Sequence, residues 1–377
     1  MKSLKLLTVI CLAIFVFGVM YFDEKSDQPA LKDVFKKNFL IGAALNTAVV
    51  TDKDPKAAAI VVKHFNTITS ENAMKWDHIH PELNKYDFDA ADRFVDFGQK
   101  NKMFIVGHTL VWQDQIPDWA FVDESGKLLS HDAMLARMKD HIFTVVGRYK
   151  GKVNGWDVVN EAFDYKGEFK ESKWFKTIGE DFIAKAFEYT HEADPDAELY
   201  YNDYACDTPG KRDAIARLIR GLKSKGLRID GIGIQGHWNM DSPKKENLDA
   251  FIDSVAACRA KVMVTELDID ILPPAWSYKG ADINMKAEMQ KGFNPYADIL
   301  PDSMQQKLAN RYAEIFSQLI AHKDQVGRIT FWGIYDKTSW LNNWPVRGRT
   351  SYPLLFDRDY QPKAAFYAVI KTAEDKK

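Results

Sequence analysis

Apolar and β-branched residues gather in short runs along the chain, and stretches of helical periodicity separate them. The runs fall at 39–43, 67–69, 103–107, 153–159, 198–201, 231–234, 261–265 and 328–332. Most are nearly unbroken, which is the pattern of strands covered on both faces. Between them, Ile215, Leu218, Ile219 and Leu222 repeat at the i, i+3, i+4, i+7 spacing of a helix buried along one side. Leu308, Tyr312, Ile315, Phe316 and Leu319 do so again later in the chain. Thr208-Pro209 supplies a cap residue and a first-turn proline for the earlier helix. Eight β–α units closing on themselves predict a (β/α)8 TIM barrel of class α/β, with a doubly wound open sheet as the alternative. No linker-like stretch interrupts the chain beyond the leader, so residues 29–377 read as one domain. The longest irregular segment, 273–303, follows the seventh run and reads as a loop insertion.

In such a barrel the groups that do chemistry project from the C-terminal ends of the strands. Polar residues collect there. Glu71 and Asn72 follow the second run, His108 the third, Asn160 and Glu161 the fourth, and Asn202 and Asp203 the fifth. Gln235 and His237 follow the sixth, Glu266 and Asp268 the seventh, and Trp332 closes the eighth. One carboxylate in such a place is commonly a helix cap or an ion-pair partner, but polar endings on strand after strand are harder to assign to capping. Two other motifs do not hold. Residues 231–236 spell G-x-G-x-x-G, yet the glycines lie inside the apolar run and no helix follows to meet a pyrophosphate. His191-Glu192 opens like a zinc-protease helix, but Pro195 stands where the second histidine belongs.

The 377 residues carry 51 Lys and Arg against 53 Asp and Glu, and the formal charge of -2 excludes a polybasic nucleic-acid binder. Lys2 and Lys5 precede an apolar run over 6–22 that Asp23, Glu24 and Lys25 end, which is the layout of an export signal. That run is long for a signal peptide and near the lower limit for a membrane span. Residues 1–28 are therefore expected as a cleaved signal or an N-terminal membrane anchor, with the protein outside the cytoplasm. Cys11 lies in this leader, while Cys206 and Cys258 read as buried free thiols, with a bridge between them as the alternative. No CxxC or Cys/His ligand spacing occurs, so no structural zinc site is expected. No other metal or cofactor is expected either, and the chain reads as a monomer. Tryptophan is abundant, at 10 residues, and flat aromatic faces suit the apolar faces of sugar rings.

Two glutamates stand apart by context. Glu161 sits in WDVVNEAF after the fourth run, and Glu266 sits in VMVTELD after the seventh. Hydrolysing a glycoside through a covalent intermediate needs a carboxylic acid and a carboxylate across the scissile bond, about 5–5.5 Å apart. Glutamates ending the fourth and seventh strands lie across a barrel mouth and suit that requirement. The alternative is that one of them only orients a loop.

WDVVNEAF and VTELDID resemble the two active-site signatures of glycoside hydrolase family 10, the retaining endo-β-1,4-xylanases, and the likeness covers nearly the whole chain after the leader. FNTITSENAMKWD carries Glu71, Asn72 and Lys75, which match the family's glycone-side hydrogen-bonding set. GHTLVWQDQIPDW carries His108 and Trp112, GIGIQGHW carries Gln235 and His237, and FWGIYDKTSWL carries Trp332 and Trp340. The resemblance implies xylan and xylo-oligosaccharides as substrates. It implies Glu161 as general acid and then base, Glu266 as nucleophile, and His237 with Asp268 as the hydrogen-bonded support of that nucleophile. Asn160 matches the residue that bonds the sugar 2-hydroxyl, a contact that strengthens in the transition state. Trp340 matches the residue that closes the place where a glucose hydroxymethyl would project.

Asn202 and Tyr204 complete the expected substrate-binding set, and Trp276 and Tyr278 in the insertion are further candidates for the leaving-group side. Two other function classes are considered. A polysaccharide-binding barrel that has lost catalysis should lack one carboxylate, and both are present. A Schiff-base enzyme needs a lysine at a strand end, whereas Lys75 lies beyond the second run, in a helix-like stretch with Glu71 near enough to keep it charged.

Overall fold

The computed structural model describes residues 28–273 and 292–374. The apolar leader, most of the insertion, and with it Trp276 and Tyr278, lie outside the described residues. Among the described residues nine strands form: β1 (Leu40–Leu45), β2 (Thr67–Ser70), β3 (Phe104–Val111), β4 (Gly155–Asn160), β5 (Glu198–Asp203), β6 (Gly231–Ile234), β7 (His237–Asn239), β8 (Lys261–Asp270) and β9 (Val326–Phe331). Their order is β6-β5-β4-β3-β2-β1-β9-β8-β7, every pairing is parallel, and an added β6–β8 pairing closes the ring. Eight staves therefore make a closed (β/α)8 barrel, and the open sheet is excluded. The short β7 lies alongside the upper half of β8, beyond the point where β6 ends.

Helices follow the staves in turn: Pro55–His64, Asp89–Lys100, His131–Arg148, Asp181–Ala193, Pro209–Ser224, Lys245–Ala257, Asp302–Ala321 and Ala364–Glu374. Their apolar stripes pack onto the outside of the staves. Ile215, Ile219 and Leu222 are buried with Leu218 half-buried beside them, and the whole Leu308–Leu319 stripe is buried. Pro209 opens its helix as expected, but the Thr208 side chain does not cap it. Its hydroxyl instead donates to the Ala205 carbonyl at 2.8 Å, which tightens the turn entering the helix. Cys206 is buried and Cys258 half-buried, and both are free thiols.

Two features of the strands place the site. The floor of the barrel is filled by Val106, Tyr200 and Met263 packed with Phe104, and Arg328 lies over the Phe104 and Tyr200 rings. Glycines make the room: a Cβ on Gly107 would stand 2.2 Å from the Trp156 ring, and one on Gly233 would stand 2.2 Å from Asn202 Oδ1. Inward positions alternate up each strand from this floor, so the same face that carries Phe104 and Val106 reaches His108 on β3, and the face of Tyr200 reaches Asn202 on β5.

Alternation alone would misdirect two residues. On β8, Val264 pairs with Ile329 but Leu267 pairs with Phe331, so β8 holds one residue more than its neighbour over that interval. On β4, Asp157 pairs with Tyr200 but Val159 pairs with Tyr201. These β-bulges turn Glu266 inward directly after the inward Thr265, and turn Asn160 inward three residues after the inward Asp157.

Candidate active site

An open cleft of about 1110 Å³ crosses the C-terminal mouth of the barrel. It is lined by Glu71, Asn72, Lys75, His108, Trp112, Asn160, Glu161, Tyr204, Gln235, His237, Glu266, Asp268, Trp332 and Trp340. Residues from seven strand ends and their loops thus converge as the sequence predicts. Asn202 is the exception.

Glu266 is nearly fully buried, at 5% exposure, in a cradle of donors. Asn202 Nδ2 donates to its Oε1 at 2.8 Å, and His237 Nε2 lies 3.1 Å from its Oε2. Burial opposes ionisation here, but the His237 contact, the nearby His108 and Asn202 outweigh it and hold the carboxyl below the ordinary glutamate range. His237 Nδ1 lies 3.1 Å from Asp268 Oδ2, and Trp340 Nε1 donates to that same oxygen at 2.7 Å. Burial works against a charged His237 too, yet Asp268 and Glu266 together raise it to about 10. A charged imidazole clamped between two carboxylates donates from both ring nitrogens and fixes the Glu266 rotamer.

Asn202 belongs to this cradle and not to the cleft surface, which corrects its expected role in substrate binding. It is fully buried, and its carboxamide is consumed: Nδ2 serves Glu266 and Asn160 Oδ1 (2.9 Å), while Oδ1 accepts from Thr265 Oγ1 at 2.6 Å. Both of its donors are used, and its oxygen is buried away from any sugar. Asn160, held through its oxygen, keeps its Nδ2 largely available, since the contact to Glu161 Oε1 is 3.5 Å.

Glu161 stands in a different environment. Gln235 Nε2 donates to its Oε1 at 2.9 Å, and Lys170 Nζ lies 3.2 Å from its Oε2. Its backbone takes a left-handed conformation, φ 58, that swings the chain out of β4 just as the carboxyl enters the cleft. Two hydrogen bonds hold this turn, from Glu161 N to Asn202 O (2.9 Å) and from Ala162 N to the Tyr201 hydroxyl (3.0 Å).

On the other side of the cleft, Lys75 Nζ donates to Asn72 Oδ1 (2.9 Å) and to Gln115 Oε1 (2.6 Å). The third ammonium hydrogen remains for a ligand. Burial draws this ammonium below its usual range, and Glu266, Glu71, Asp77 and Glu161 offset that only in part. Burial also pushes Glu71 itself upward, so its hold on the Lys75 charge is weaker than the sequence suggests. Trp112 and Trp332 flank Lys75 at 5.2 and 6.0 Å from ring centre to Nζ. His108 is fixed by Asp157 Oδ2 at 2.9 Å and meets the Trp332 ring edge-on. Tyr204 rests on Lys211, whose buried Nζ pairs with Asp203 and stands 3.4 Å from the ring centre.

Sequence reasoning missed Lys170, Gln115, Asp157 and the exposed ring of Tyr165, which stands beside Tyr204. Gln115 and Asp157 lie inside the recognised motifs, which was the signal available, whereas the pairing of His108 with Asp157 is visible only in the strand register. Nothing in the sequence pattern marks Lys170. Among the described residues no cluster of His, Cys, Asp and Glu is arranged to hold a metal ion.

The sequence profile of Glycosyl hydrolase family 10 matches residues 30–372. The chain belongs to that family. Endo-1,4-beta-xylanase A of Xylanibacter ruminicola is 42% identical over 98% of this chain and 99% of its own length. The beta-1,4-xylanase of Dictyoglomus thermophilum is 41% identical over 96% of this chain and 97% of its own. Among solved structures, a GH10 endoxylanase retrieved from a sugarcane soil metagenome superposes with a TM-score of 0.86 at 43% identity, covering 92% of this chain and 100% of that one. Family 10 membership and the cleft geometry thus agree on a glycoside hydrolase with its site at the barrel mouth.

Proposed function

We propose that this protein is an endo-1,4-β-xylanase that cleaves internal bonds of xylan with retention at the anomeric carbon. The observation that carries this is the contrast between the two cleft glutamates. Glu266 is buried, ionised and locked by His237 and Asn202, as a nucleophile must be. Glu161 stands at the cleft wall on Gln235 and Lys170, where it can meet a leaving oxygen. In the first step Glu266 attacks the anomeric carbon, the bond to the leaving oxygen breaks, and Glu161 gives that oxygen its proton. In the second, Glu161 takes a proton from water as the hydroxide displaces Glu266. Asn160 Nδ2 is placed to bond the 2-hydroxyl, and Glu71, Asn72 and Lys75 to hold neighbouring hydroxyls with charge-assisted bonds. A xylanase of Thermoanaerobacterium saccharolyticum, 36% identical over 92% of this chain with a TM-score of 0.79, has been solved with xylotriose bound, which supports oligosaccharides as ligands of this site.

Trp340 is the expected selector of xylose over glucose. Chromatography of products should show xylo-oligosaccharides from internal cleavage of xylan and little release from cellulose. Trp340→Ala should then raise activity on glucose-configured aryl glycosides relative to xylose-configured ones. Because Trp340 also anchors Asp268, both activities should drop in absolute terms, but that loss is common to the two sugars and cancels in their ratio. A ratio unchanged from wild type would remove Trp340 from the selector role.

We further propose that residues 1–28 direct export. Among the described residues no helix is long and apolar enough to cross a membrane, so this rests on the leader alone. Family membership does not fix the compartment: the Thermoanaerobacterium saccharolyticum relative is described as intracellular. A reporter fused behind residues 1–28 should leave a bacterial cytoplasm, and N-terminal sequencing of the mature protein separates cleavage from anchoring. Active enzyme retained in the cytosol of the native cell would refute export.

A further inference from the structure

Lys170 reaches Glu161 by a built route. The chain leaves Glu161 and turns back in a hairpin closed by Lys170 N donating to Ala162 O (2.8 Å) and by a bridge between Phe163 and Phe169, whose rings lie 4.9 Å apart. Asp164 organises the turn, its Oδ1 accepting from Lys166 N (2.8 Å) and Glu168 N (3.0 Å). Gly167 at φ +81 lets the turn close against the start of the Pro209–Ser224 helix, where a Cβ would fall 2.2 Å from Gly210 O. The result is an ammonium 3.2 Å from the acid/base carboxyl, on side chains only 23% and 14% exposed. The same ammonium sits 4.8 Å from the centre of the Tyr204 ring. Burial opposes its charge, but Glu161, Tyr204 and Asp203 outweigh that and raise Lys170 above the usual lysine range.

We propose that Lys170 is a positioning residue for Glu161, holding its carboxylate for the water-activating step and setting the alkaline limit of xylan cleavage. This rests on the xylanase reading and deepens it. The reaction asks Glu161 to be protonated in the first step and ionised in the second. A cation at 3.2 Å favours the ionised form in both. The other groups facing Glu161 are the amides of Gln235 and Asn160, the phenol of Tyr204, the carboxylates of Glu266 and Asp203, and the Lys75 ammonium. Asp203 is matched by the buried Lys211, and Lys75 is shared among several carboxylates. Glu266 loses its charge once the glycosyl-enzyme forms. Lys170 is therefore the constant bias toward the base form, at some expense to the acid form.

Lys170→Met removes the charge and keeps the stem, while Lys170→Arg keeps the charge. In Lys170→Met the alkaline limb of kcat/KM on xylan should move up by about one pH unit, the low end for a nearby opposite charge because Lys170 is partly exposed. With an aryl xyloside of acidic phenol, whose first step needs no proton, kcat should fall several-fold because the water-activating step is less well set. Lys170→Arg should restore both towards wild type. A xylan limb unmoved in Lys170→Met, or a uniform loss that Lys170→Arg does not rescue, would overturn the assignment. Wild-type protein that leaves xylan uncut would instead strike the reading on which this one rests.

Discussion

Glu266→Ala should abolish turnover of xylan and of activated aryl xylosides alike. Removing the nucleophile leaves no group to form the glycosyl-enzyme, and a loss on the order of 10⁶-fold is the scale seen when the nucleophile of a covalent mechanism is deleted. A good leaving group does not help, because the missing bond is to carbon and not to the leaving oxygen. The variant keeps Asn202 and the charged His237 pointing into the vacated space, with Asp268 still holding His237 from behind. A small anion such as azide can enter there and attack from the face Glu266 occupied, giving an α-configured glycosyl azide by a single inversion. Rates on both substrates and the anomeric coupling of the azide product check this. Residual hydrolysis of the aryl substrate near wild-type rate would remove Glu266 from the nucleophile role. In the wild type, the same cradle keeps Glu266 ionised below the ordinary glutamate range. The acidic limb of activity therefore belongs on the low side of that range.

The barrel was legible because its staves are covered on both faces, so hydropathy alone marks where each one runs. It stops marking them at the mouth. β3 runs on to Val111, β5 to Asp203 and β8 to Asp270, past the apolar runs, because the upper parts of these strands carry polar side chains such as His108, Glu266 and Asp268 to the cleft and Asn202 to the cradle behind it. Of the polar residues read as strand endings, His108, Asn160, Asn202, Asp203, His237, Glu266 and Asp268 are in fact strand residues, whereas Glu71, Asn72, Glu161, Gln235 and Trp332 lie just beyond their strands. That they faced one site could be argued from position, but their exact neighbours could not. The inward turn of Glu266 and of Asn160 depends on bulges that no residue type announces. Asn202 looked like its neighbours in sequence, and only its burial behind Glu266, with every amide atom engaged, separates it from the sugar-binding set. Lys170 was invisible for another reason: its contact with Glu161 exists only after the 163–169 turn has folded.

Glu161→Ala should behave differently from Glu266→Ala, since it removes a proton donor and leaves the nucleophile in place. Xylan, whose leaving alcohol needs a proton, should lose activity by about 10²–10⁴-fold, the usual scale of general acid catalysis. An aryl xyloside with an acidic phenol should keep its first step. Water then lacks a base, so the glycosyl-enzyme accumulates and a burst of phenol is followed by slow turnover. The vacancy is not neutral ground. Lys170 and Gln235, which both contact the Glu161 carboxyl in the wild type, remain beside it as a cation and an amide donor. Azide fits that charge and needs no base, so adding it should restore turnover. It attacks from the face opposite Glu266, and two inversions at one carbon give a β-configured glycosyl azide. Combining Glu161→Ala with Lys170→Met should weaken the azide rescue, because the anion loses its cation. An α-configured azide from Glu161→Ala would mean that the two glutamates hold each other's roles.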